Sequence, residues 1–273
     1  MTDKYAVIGN PIAHSKSPQI HKMFAEQTGQ DISYEAILAP LDGFIMTIER
    51  LRKEGYKGCN VTVPFKFEAF EFAKHNLTDR AKNIQAVNTL KFDVDSLLGD
   101  NTDGAGLVRD IQKNLKFSLE GRRALLMGAG GAAYGVVLPL FSAGAKLTVV
   151  NRTPSKAQQL FQTFKTQGSI VASTYEELNV SGQQFDIVIN ATSSGLSDDD
   201  RPNLPNTILA ENGLAYEIVY SRVTQFQRFA QKSSMTISDG LGMLVEQAAE
   251  SFFLWRGVRP QTAPVIAALR KQQ

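Results

Sequence analysis

The chain reads ALLMGAGGAAYGVVLPLFSAGAKLTVVNRT over residues 124–153, and this stretch decides the fold. Two apolar runs, Ala124–Met127 and Leu147–Val150, enclose a glycine cluster and an alanine-rich segment over 132–143. The order of strand, glycine turn, helix and strand is typical of a dinucleotide-binding unit. The sequence therefore predicts a Rossmann-like, doubly wound parallel sheet in this part of the chain.

The glycine cluster, Gly128–Ala133, has the form GxGGAA and not the strict GxGxxG. Its first glycine allows the tight turn after the strand, and the next ones let backbone N–H groups approach a pyrophosphate at a helix N-terminus. A bare glycine cluster is weak evidence, but the strands on either side strengthen it. The predicted cofactor-binding residues here are Gly128, Ala129, Gly130, Gly131 and Ala132.

The tip of the second strand indicates which cofactor binds. An NAD-binding unit usually carries Asp or Glu there, to accept a hydrogen bond from the ribose 2′-OH. This chain has Asn151, Arg152 and Thr153, and Lys156 follows one short turn later. With no carboxylate to repel a 2′-phosphate and a guanidinium to pair with it, we predict NADP. The simpler interpretation is that Arg152 and Lys156 are solvated surface charges.

Composition excludes several other classes of protein. The chain has 273 residues with 29 basic and 27 acidic side chains, so charge gives no case for nucleic acid or a membrane surface. No apolar stretch approaches ~20 residues, and a predicted strand begins almost at once, without the form of a signal peptide. Three scattered histidines and the single Cys59 argue against a metal site and suit a reducing cytoplasm.

Strand and helix signals alternate over the first ~115 residues as well. Ser17 and Pro18 predict an N-cap and N1 pair that opens a helix, and Cys59–Val63 predicts a strand. A long helix is predicted over Leu241–Arg256. We therefore expect an α/β substrate-binding domain from residues 1–103 and 241–273, an NADP-binding domain from residues 104–240, and a cleft between them.

Polar residues cluster where strands end or helices begin, which is where ligands bind in α/β sheets. Ser15 and Ser17 flank a helix start, where hydroxyl and N–H groups suit a carboxylate, although a role for Ser17 as a cap alone fits equally well. In the predicted strand, Asn60 and Thr62 share one side, and Lys66 lies just beyond its end. A lysine at this place is a candidate proton donor.

Three further polar residues complete the candidate site: Asn88, Asp103 and Gln247. Asp103 begins a helix, where a carboxylate is also favoured for structural reasons alone. Paired with Lys66, it would form an acid/base dyad in which the carboxylate orients the ammonium. Gln247 lies at the edge of the apolar stripe of the long helix, where it could reach a ligand or remain at the exposed rim.

These motifs, taken in order, resemble the shikimate dehydrogenase family over nearly the whole chain. The matching segments are VIGNPI (7–12), HSKSP (14–18), NVTVPFK (60–66), AVNT (86–89), GDNTDG (99–104), GAGGAA (128–133), NRT (151–153), NAT (190–192), GLGMLV (240–245) and QA (247–248). Each segment alone has moderate specificity, but the full series is very specific.

The resemblance implies a cytoplasmic two-domain oxidoreductase of the shikimate pathway, in chorismate and aromatic amino acid biosynthesis. It would reduce 3-dehydroshikimate to shikimate with NADPH, as a monomer or homodimer, with no metal. Lys66 and Asp103 are then the catalytic pair. The implied substrate-binding residues are Ser15, Ser17, Asn60, Thr62, Asn88, Asp103 and Gln247. Residues implied at the cofactor, besides those named above, are Asp79, Thr192, Ile218 and Gly240.

Three residues depart from the family pattern. Tyr134 stands where Arg is frequent, Glu217 where Asp is usual, and Ile218 where Met is common. These changes could alter cofactor affinity, but none removes the dyad. The alternatives are a quinate/shikimate dehydrogenase that uses NAD, and a non-catalytic NADP-binding regulatory protein. A serine hydrolase is disfavoured, because the chain has no GxSxG nucleophile elbow.

Overall fold

The computed structural model describes residues 2–94, 96–192, 203–220, 222–232 and 236–272. The chain divides into two compact units: unit 1 comprises residues 1–106 and 245–273, and unit 2 comprises residues 107–244. The expected boundaries, after residues 103 and 240, lie three and four residues earlier. Each falls where a helix begins, Asp103–Arg109 (α5) or Leu241–Arg256 (α10), and the first turn of each helix stays with the preceding unit.

Unit 1 contains a five-stranded mixed sheet. Its strands are Asp3–Gly9 (β1), Ile32–Leu38 (β2), Gly58–Val61 (β3), Thr89–Phe92 (β4) and Leu97–Asp100 (β5), in the order β2-β1-β3-β4-β5. Strand β1 is parallel to both of its neighbours, whereas β4 and β5 are antiparallel additions. The helices of the unit are Ser17–Thr28 (α1), Phe44–Lys53 (α2), Lys66–Ala73 (α3), Asp79–Ile84 (α4), the start of α5, most of α10, and Ala263–Arg270 (α11).

Large apolar side chains hold the helices of unit 1 against its sheet. Phe44 on α2 and Phe65, just before α3, are fully buried and stack with ring centroids 5.0 Å apart. Trp255 on α10 donates its Nε1–H to the Leu90 carbonyl at 3.0 Å, which ties that helix to β4. Burying a Phe side chain contributes about 1.5–3 kcal/mol. These contacts fix the strand ends that carry the polar clusters.

Unit 2 contains a six-stranded, wholly parallel sheet. Its strands are Arg123–Met127 (β6), Lys146–Val150 (β7), Ile170–Ser173 (β8), Phe185–Asn190 (β9), Leu209–Glu217 (β10) and Thr236–Ser238 (β11). Their order across the sheet is β8-β7-β6-β9-β10-β11. Strands β7 and β8 lie on one side of β6, and β9, β10 and β11 lie on its other side, so the order switches between β6 and β9. The helices are Gly131–Ser142 (α6), Pro154–Phe164 (α7), Tyr175–Ser181 (α8) and Gln225–Ala230 (α9), and α5 ends in a π-helical turn, Asp110–Asn114. This topology confirms the predicted doubly wound parallel sheet.

Several local expectations need correction. Ser17 is not the N-cap of α1, because Lys16 occupies that position and Ser17 already lies inside the helix. The strand predicted over Cys59–Val63 ends at Val61, before a cis bond between Val63 and Pro64. Thr62 therefore does not share a strand face with Asn60. Lys66 lies beyond the end of that strand, as expected, and is the first residue of α3.

Two predicted elements extend beyond the described residues. The Ser-, Asp- and Pro-rich composition predicts a loop over Ser193–Pro205, and residues 193–202 of it lie outside the described ranges. The sequence also predicts a strand over Met235–Ser238, of which Met235 lies outside them. Within the ranges that the structure describes, no helix is long and apolar enough to cross a membrane. The same ranges hold no group of three or more His, Cys, Asp or Glu side chains that could bind a metal ion.

The single cysteine is structural. Cys59 lies in the middle of β3, paired with Ala6 of β1 and Leu90 of β4, and its side chain is fully buried. Burial raises the pKa of the thiol far above its ordinary range. The residue therefore packs as a small apolar group in the sheet.

Candidate active site

The centre of the candidate site is an ion pair in unit 1. Lys66 begins α3, Asp103 begins α5, and the Nζ of Lys66 donates to Oδ2 of Asp103 at 2.6 Å. The lysine side chain is 26% exposed and the aspartate side chain 13%. The pair is therefore shielded on most sides, yet the ammonium still reaches solvent. The structure brings together the two residues that the sequence predicted as a dyad.

Asn88 holds the second oxygen of Asp103. Its Nδ2 donates to Oδ1 of Asp103 at 2.9 Å and to Oγ1 of Thr102 at 2.9 Å. Its Oδ1 accepts from the backbone N–H of Thr102 at 2.9 Å, which fixes the orientation of the amide. Asn101 adds a further contact, because its Oδ1 accepts the backbone N–H of Asp103 at 3.2 Å. Lys66 at Oδ2 and Asn88 at Oδ1 thus fix the orientation of the Asp103 carboxylate.

Gln247 joins the same group of side chains. It lies on α10, and its Oε1 is 3.4 Å from Nδ2 of Asn88 and 3.3 Å from Oγ1 of Thr102. One turn later on the helix, Ser251 is fully buried and its Oγ lies 3.3 Å from that of Thr102. The long helix therefore contributes two polar residues behind the dyad.

Asn60 forms a deeper layer beneath Asn88. Its side chain is buried, and its Nδ2 donates to Oγ of Ser251 at 2.9 Å and to the Asn88 carbonyl at 3.2 Å. Its Oδ1 accepts a hydrogen bond from the Tyr34 hydroxyl at 2.7 Å. Each polar atom of the Asn60 side chain therefore has a partner in this layer. Its predicted contact with substrate stays a prediction.

An aromatic cluster supports Tyr34. His21 on α1 is fully buried and stacks on the Tyr34 ring, with centroids 4.1 Å apart and planes 5° apart. Neither ring nitrogen of His21 has a hydrogen-bond partner among the described residues. Burial lowers the pKa of His21 to about 3, so this residue is a neutral ring near pH 7.

The remaining predicted substrate residues lie nearer the first strand. Oγ of Ser15 accepts the backbone N–H of Ser17 at 3.3 Å, and Ser17 is buried. Thr62 directly follows β3, and its backbone N–H donates to the Ile8 carbonyl at 2.9 Å. The hydrogen bonds described above around the dyad do not include Ser15 or Thr62. Their roles in binding substrate stay predictions.

Sequence reasoning missed several supporting residues of this site: Tyr34, Thr102 and Ser251. Ser251 follows Gln247 by four residues on α10, so the helical period carried a signal for it. Thr102 stands next to Asp103 within a motif that was recognised. The partnership of Tyr34 with Asn60 depends on strand order, which no local pattern revealed.

In unit 2, the glycine turn lies between β6 and α6. Gly128 has φ +107°, and a Cβ there would lie 2.9 Å from the Ala191 carbonyl, so only glycine fits. Gly130 is the N-cap of α6, and a Cβ on it would meet no atom within 4 Å. No side chain of the described residues caps the start of α6, so a bound anion could accept the first N–H groups of this helix.

The tip of β7 fits a phosphate on the ribose. Arg152, Thr153 and Lys156 are exposed, and Nδ2 of Asn151 donates to the Thr153 carbonyl at 3.0 Å. The groups offered are a guanidinium, an ammonium and a hydroxyl, and residues 151–156 include no carboxylate. Together with the open turn at Gly130, this donor set suits the phosphates of NADP.

The second half of the sheet ends in a buried polar group. Asn190 ends β9 and Glu217 ends β10, and both are buried; Thr192 and Ile218, predicted at the cofactor, follow them and are half-buried. Burial raises the pKa of Glu217, although the hydrogen bonds that it accepts oppose this shift. Gly240 packs against Ile218, because a Cβ there would lie 1.9 Å from its carbonyl oxygen.

Two of the other predicted positions have clear surroundings. Tyr134 packs its ring against Phe164 of α7, with centroids 5.7 Å apart, so it fills space between two helices. Asp79 begins α4 in unit 1, with a side chain 96% exposed that lies 3.6 Å from Nζ of Lys82. The other predicted cofactor residues belong to unit 2, and the role of Asp79 stays a prediction.

The fold and the two sites define an α/β oxidoreductase class: a dinucleotide-binding Rossmann unit joined to a unit with a lysine–aspartate pair. Models of three domains match the chain. They describe the shikimate dehydrogenase substrate binding domain at residues 7–90, shikimate / quinate 5-dehydrogenase at residues 110–197 and the shikimate 5'-dehydrogenase C-terminal domain at residues 240–270. The chain belongs to the shikimate dehydrogenase family.

Individual relatives agree over the full length. The chain is 58% identical to shikimate dehydrogenase (NADP(+)) of Nitrosospira multiformis, covering 99% of this chain and 98% of the relative. The corresponding protein of Herminiimonas arsenicoxydans is 56% identical, covering 100% and 98%.

Solved structures show the same fold. An Ael1 enzyme from Pseudomonas putida has a TM-score of 0.91 at 46% identity, covering 98% of each chain. Shikimate 5-dehydrogenase from Thermus thermophilus, in complex with NADP(H) and shikimate, has a TM-score of 0.89 at 33% identity, covering 100% of each chain. These similarities extend over both units.

Proposed function

We propose that this chain is an NADP-dependent shikimate dehydrogenase, which reversibly reduces 3-dehydroshikimate to shikimate. The observation that carries the proposal is the pairing of Lys66 with Asp103, held on its second oxygen by Asn88. That arrangement supplies a proton at a carbonyl oxygen, as a ketone reduction requires. The two relatives named above, which are 58% and 56% identical to this chain in sequence, are shikimate dehydrogenases (NADP(+)).

The residues of unit 1 move the proton. When bound, NADPH supplies the hydride that reduces the ketone carbon. Lys66 donates a proton from Nζ to the ketone oxygen as negative charge develops there, and in the reverse direction it accepts the proton of the hydroxyl. Asp103 keeps the Lys66 ammonium in place at 2.6 Å, while Asn88 prevents the carboxylate from rotating away. General acid–base help of this kind contributes roughly 10²–10⁴-fold in rate.

The residues of unit 2 hold the cofactor. Backbone N–H groups at the start of α6 would bind the pyrophosphate, and Arg152 with Lys156 would bind the 2′-phosphate. The support for this assignment is the open space at Gly130 and the exposed cations at the tip of β7. The half-buried Ile218 would offer the nicotinamide ring an apolar wall.

The decisive experiment follows absorbance at 340 nm with shikimate and NADP, beside quinate and beside NAD. Turnover confined to shikimate with NADP supports the full proposal. Equal turnover with quinate or NAD would instead favour a quinate/shikimate dehydrogenase with broader use of cofactors. NADPH binding without turnover would favour a non-catalytic regulatory protein and contradict the role of the dyad.

We also propose a cytoplasmic location. The support is the free thiol of Cys59, which is buried in the sheet and forms no disulfide. Microscopy of a fluorescent fusion in the native cell tests this location. A fusion found in an oxidising compartment would contradict it. Whether the protein is a monomer or a homodimer is measured by light scattering.

A further inference from the structure

Glu217 is a fully buried carboxylate, and among the described residues its hydrogen-bond donors are neutral. Its Oε2 accepts from Nδ2 of Asn190 at 2.7 Å and from Oγ1 of Thr224 at 2.7 Å. Its Oε1 accepts from the backbone N–H of Val219 at 3.1 Å. Burying a carboxylate without a cation is costly, and it persists only when hydrogen bonds compensate. A residue of this kind calls for a reason beyond packing.

The hydrogen bonds of Glu217 continue to Thr192. Because Asn190 donates its Nδ2 to the carboxylate, its Oδ1 must point the other way. That oxygen accepts the backbone N–H of Thr192 at 3.1 Å and the Thr192 hydroxyl at 2.7 Å. The carboxylate therefore sets the orientation of the Asn190 amide, and the amide sets the position of Thr192.

The same carboxylate holds the chain that leaves β10. Its bond to the Val219 N–H fixes the residue after Ile218, while the Ile218 N–H donates to the Asn190 carbonyl at 3.1 Å. Thr224 caps α9 by accepting the backbone N–H of Gln227, and its hydroxyl proton is then given to Glu217. Glu217 is thus in contact with three parts of the chain: the end of β9, the residues after β10 and the start of α9.

These segments belong to one half of the cofactor site. In a doubly wound sheet the first three strands bind the adenosine half of a dinucleotide, and the second three bind the other half. Gly128 and Arg152 follow β6 and β7, whereas Thr192 and Ile218 follow β9 and β10. The hydrogen bonds of Glu217 given above therefore lead to the nicotinamide half and not to the adenosine half.

We propose that Glu217 is a positioning residue for the nicotinamide half of NADP, acting through Asn190 on Thr192 and through Val219 on the backbone of Ile218. The inference rests on the proposed function. It assigns a purpose to the buried glutamate, whose side chain contacts three segments from the end of one strand.

The test compares Glu217→Gln with Tyr216→Phe. An amide at position 217 has one acceptor oxygen and no charge, so its NH₂ group must face either the Asn190 and Thr224 donors or the Val219 N–H, and at least one of the three hydrogen bonds is lost. Tyr216 is the neighbour on the same strand, is equally buried, and donates its hydroxyl to Asp110 at 2.6 Å instead. The control therefore removes one buried hydrogen bond nearby and leaves the Glu217 contacts intact.

Binding is measured without turnover, by fluorescence titration with NADPH and by calorimetry with 2′,5′-ADP, the adenosine half alone. We expect Glu217→Gln to weaken NADPH binding roughly ten-fold or more, since hydrogen bonds to a charged group are lost, and to leave 2′,5′-ADP binding within about two-fold. Tyr216→Phe is expected to lower the Tm and to change neither affinity more than about two-fold.

Equal NADPH affinity in Glu217→Gln and the wild type, or an equal loss for both ligands, would overturn the proposal. If Glu217→Gln does not fold, Thr224→Val removes one donor to the carboxylate and is judged by the same two affinities. A wild-type protein that bound neither NADPH nor 2′,5′-ADP would refute the proposed function itself, so the two failures are distinguishable.

Discussion

In unit 1 the candidate catalytic groups are held by other side chains, whereas the adenosine half of the candidate cofactor site in unit 2 consists of backbone amides and exposed cations. Lys66, Asp103, Asn88 and Asn60 form successive layers of hydrogen bonds with little exposure. At the tip of β7, Arg152 and Lys156 are exposed. The difference follows from the tasks: proton transfer needs a fixed geometry, while a doubly charged phosphate is bound by any nearby cation.

Removing the lysine is the strongest way to break the layered site. We expect Lys66→Ala to lower kcat roughly 10²–10⁴-fold, because the proton donor is lost, and to leave the KM for shikimate within a few-fold. Lys74→Ala is the matched control, because Lys74 follows α3 and its side chain is 55% exposed. Steady-state kinetics at 340 nm measure both variants, and a nearly wild-type kcat in Lys66→Ala would refute its role.

The aromatic cluster beneath the layers should give the protein an acid sensitivity. The folded pKa of His21, about 3, lies below its ordinary value of 6.5, so the unfolded chain binds a proton that the folded chain does not. Stability is therefore fully present above pH 6.5 and falls as the pH drops toward 3. Between about pH 7.5 and pH 5 the loss is about 2 kcal/mol.

Urea unfolding at these two pH values measures the effect. In His21→Phe the pH-dependent difference should shrink by that amount, since a ring that cannot be protonated still stacks on Tyr34. His75→Gln, at an exposed position, should keep the wild-type difference. An unchanged pH dependence in His21→Phe would show that His21 is not the group that titrates.

The open site of unit 2 should respond to salt. We expect Arg152→Ala to raise the Kd for NADPH about ten-fold at low ionic strength and less at high ionic strength, because exposed charges are screened. The Kd for NADH should hardly change. Lys146→Ala is the control, because Lys146 is exposed at the opposite end of β7. Equal Kd values for NADPH in Arg152→Ala and the wild type would argue against 2′-phosphate binding.

The smallest expected effect tests whether the hydrogen bond beneath Asn60 contributes to catalysis. Tyr34→Phe removes the only hydroxyl that donates to Oδ1 of Asn60 among the described residues, and should lower kcat about five- to ten-fold. NADPH binding should not change. Tyr5→Phe is matched, because Tyr5 is also a stacked tyrosine, with its ring centroid 4.6 Å from that of Trp255, but its hydroxyl contacts Arg256 instead of Asn60. If Tyr34→Phe has the same kcat as Tyr5→Phe, the hydrogen bond from Tyr34 to Asn60 does not help to position the catalytic pair.

Local sequence patterns predicted the parts of the molecule that depend on near neighbours. The run Ala124–Met127, the glycines after it and the run Leu147–Val150 form β6, the turn and β7 as expected. The helix over Leu241–Arg256 has the predicted bounds. Helix α7 was not among the predicted elements, although Ala157, Leu160 and Phe164 are spaced as a buried helical stripe.

Other features depend on residues that are distant in sequence. Tyr34 contacts Asn60 because β2 and β3 both pair with β1, an order that alternation alone does not reveal. The predicted start of α1 was wrong. The Ser15 hydroxyl accepts the Ser17 N–H, and the helix begins at Ser17, one residue earlier than it would with Ser17 as its N-cap. The surroundings of Glu217 likewise come from three separate segments.

The burial of Cys59 has a practical consequence for spectroscopy. A thiol with no exposed surface and a strongly raised pKa does not react with maleimide reagents at neutral pH, so the native chain is silent toward thiol labelling. Two cysteines introduced on the surface, one in each unit, would therefore carry a fluorophore pair without any replacement of Cys59. Energy transfer between them would report the separation of the units, with and without ligands, in the otherwise unaltered protein.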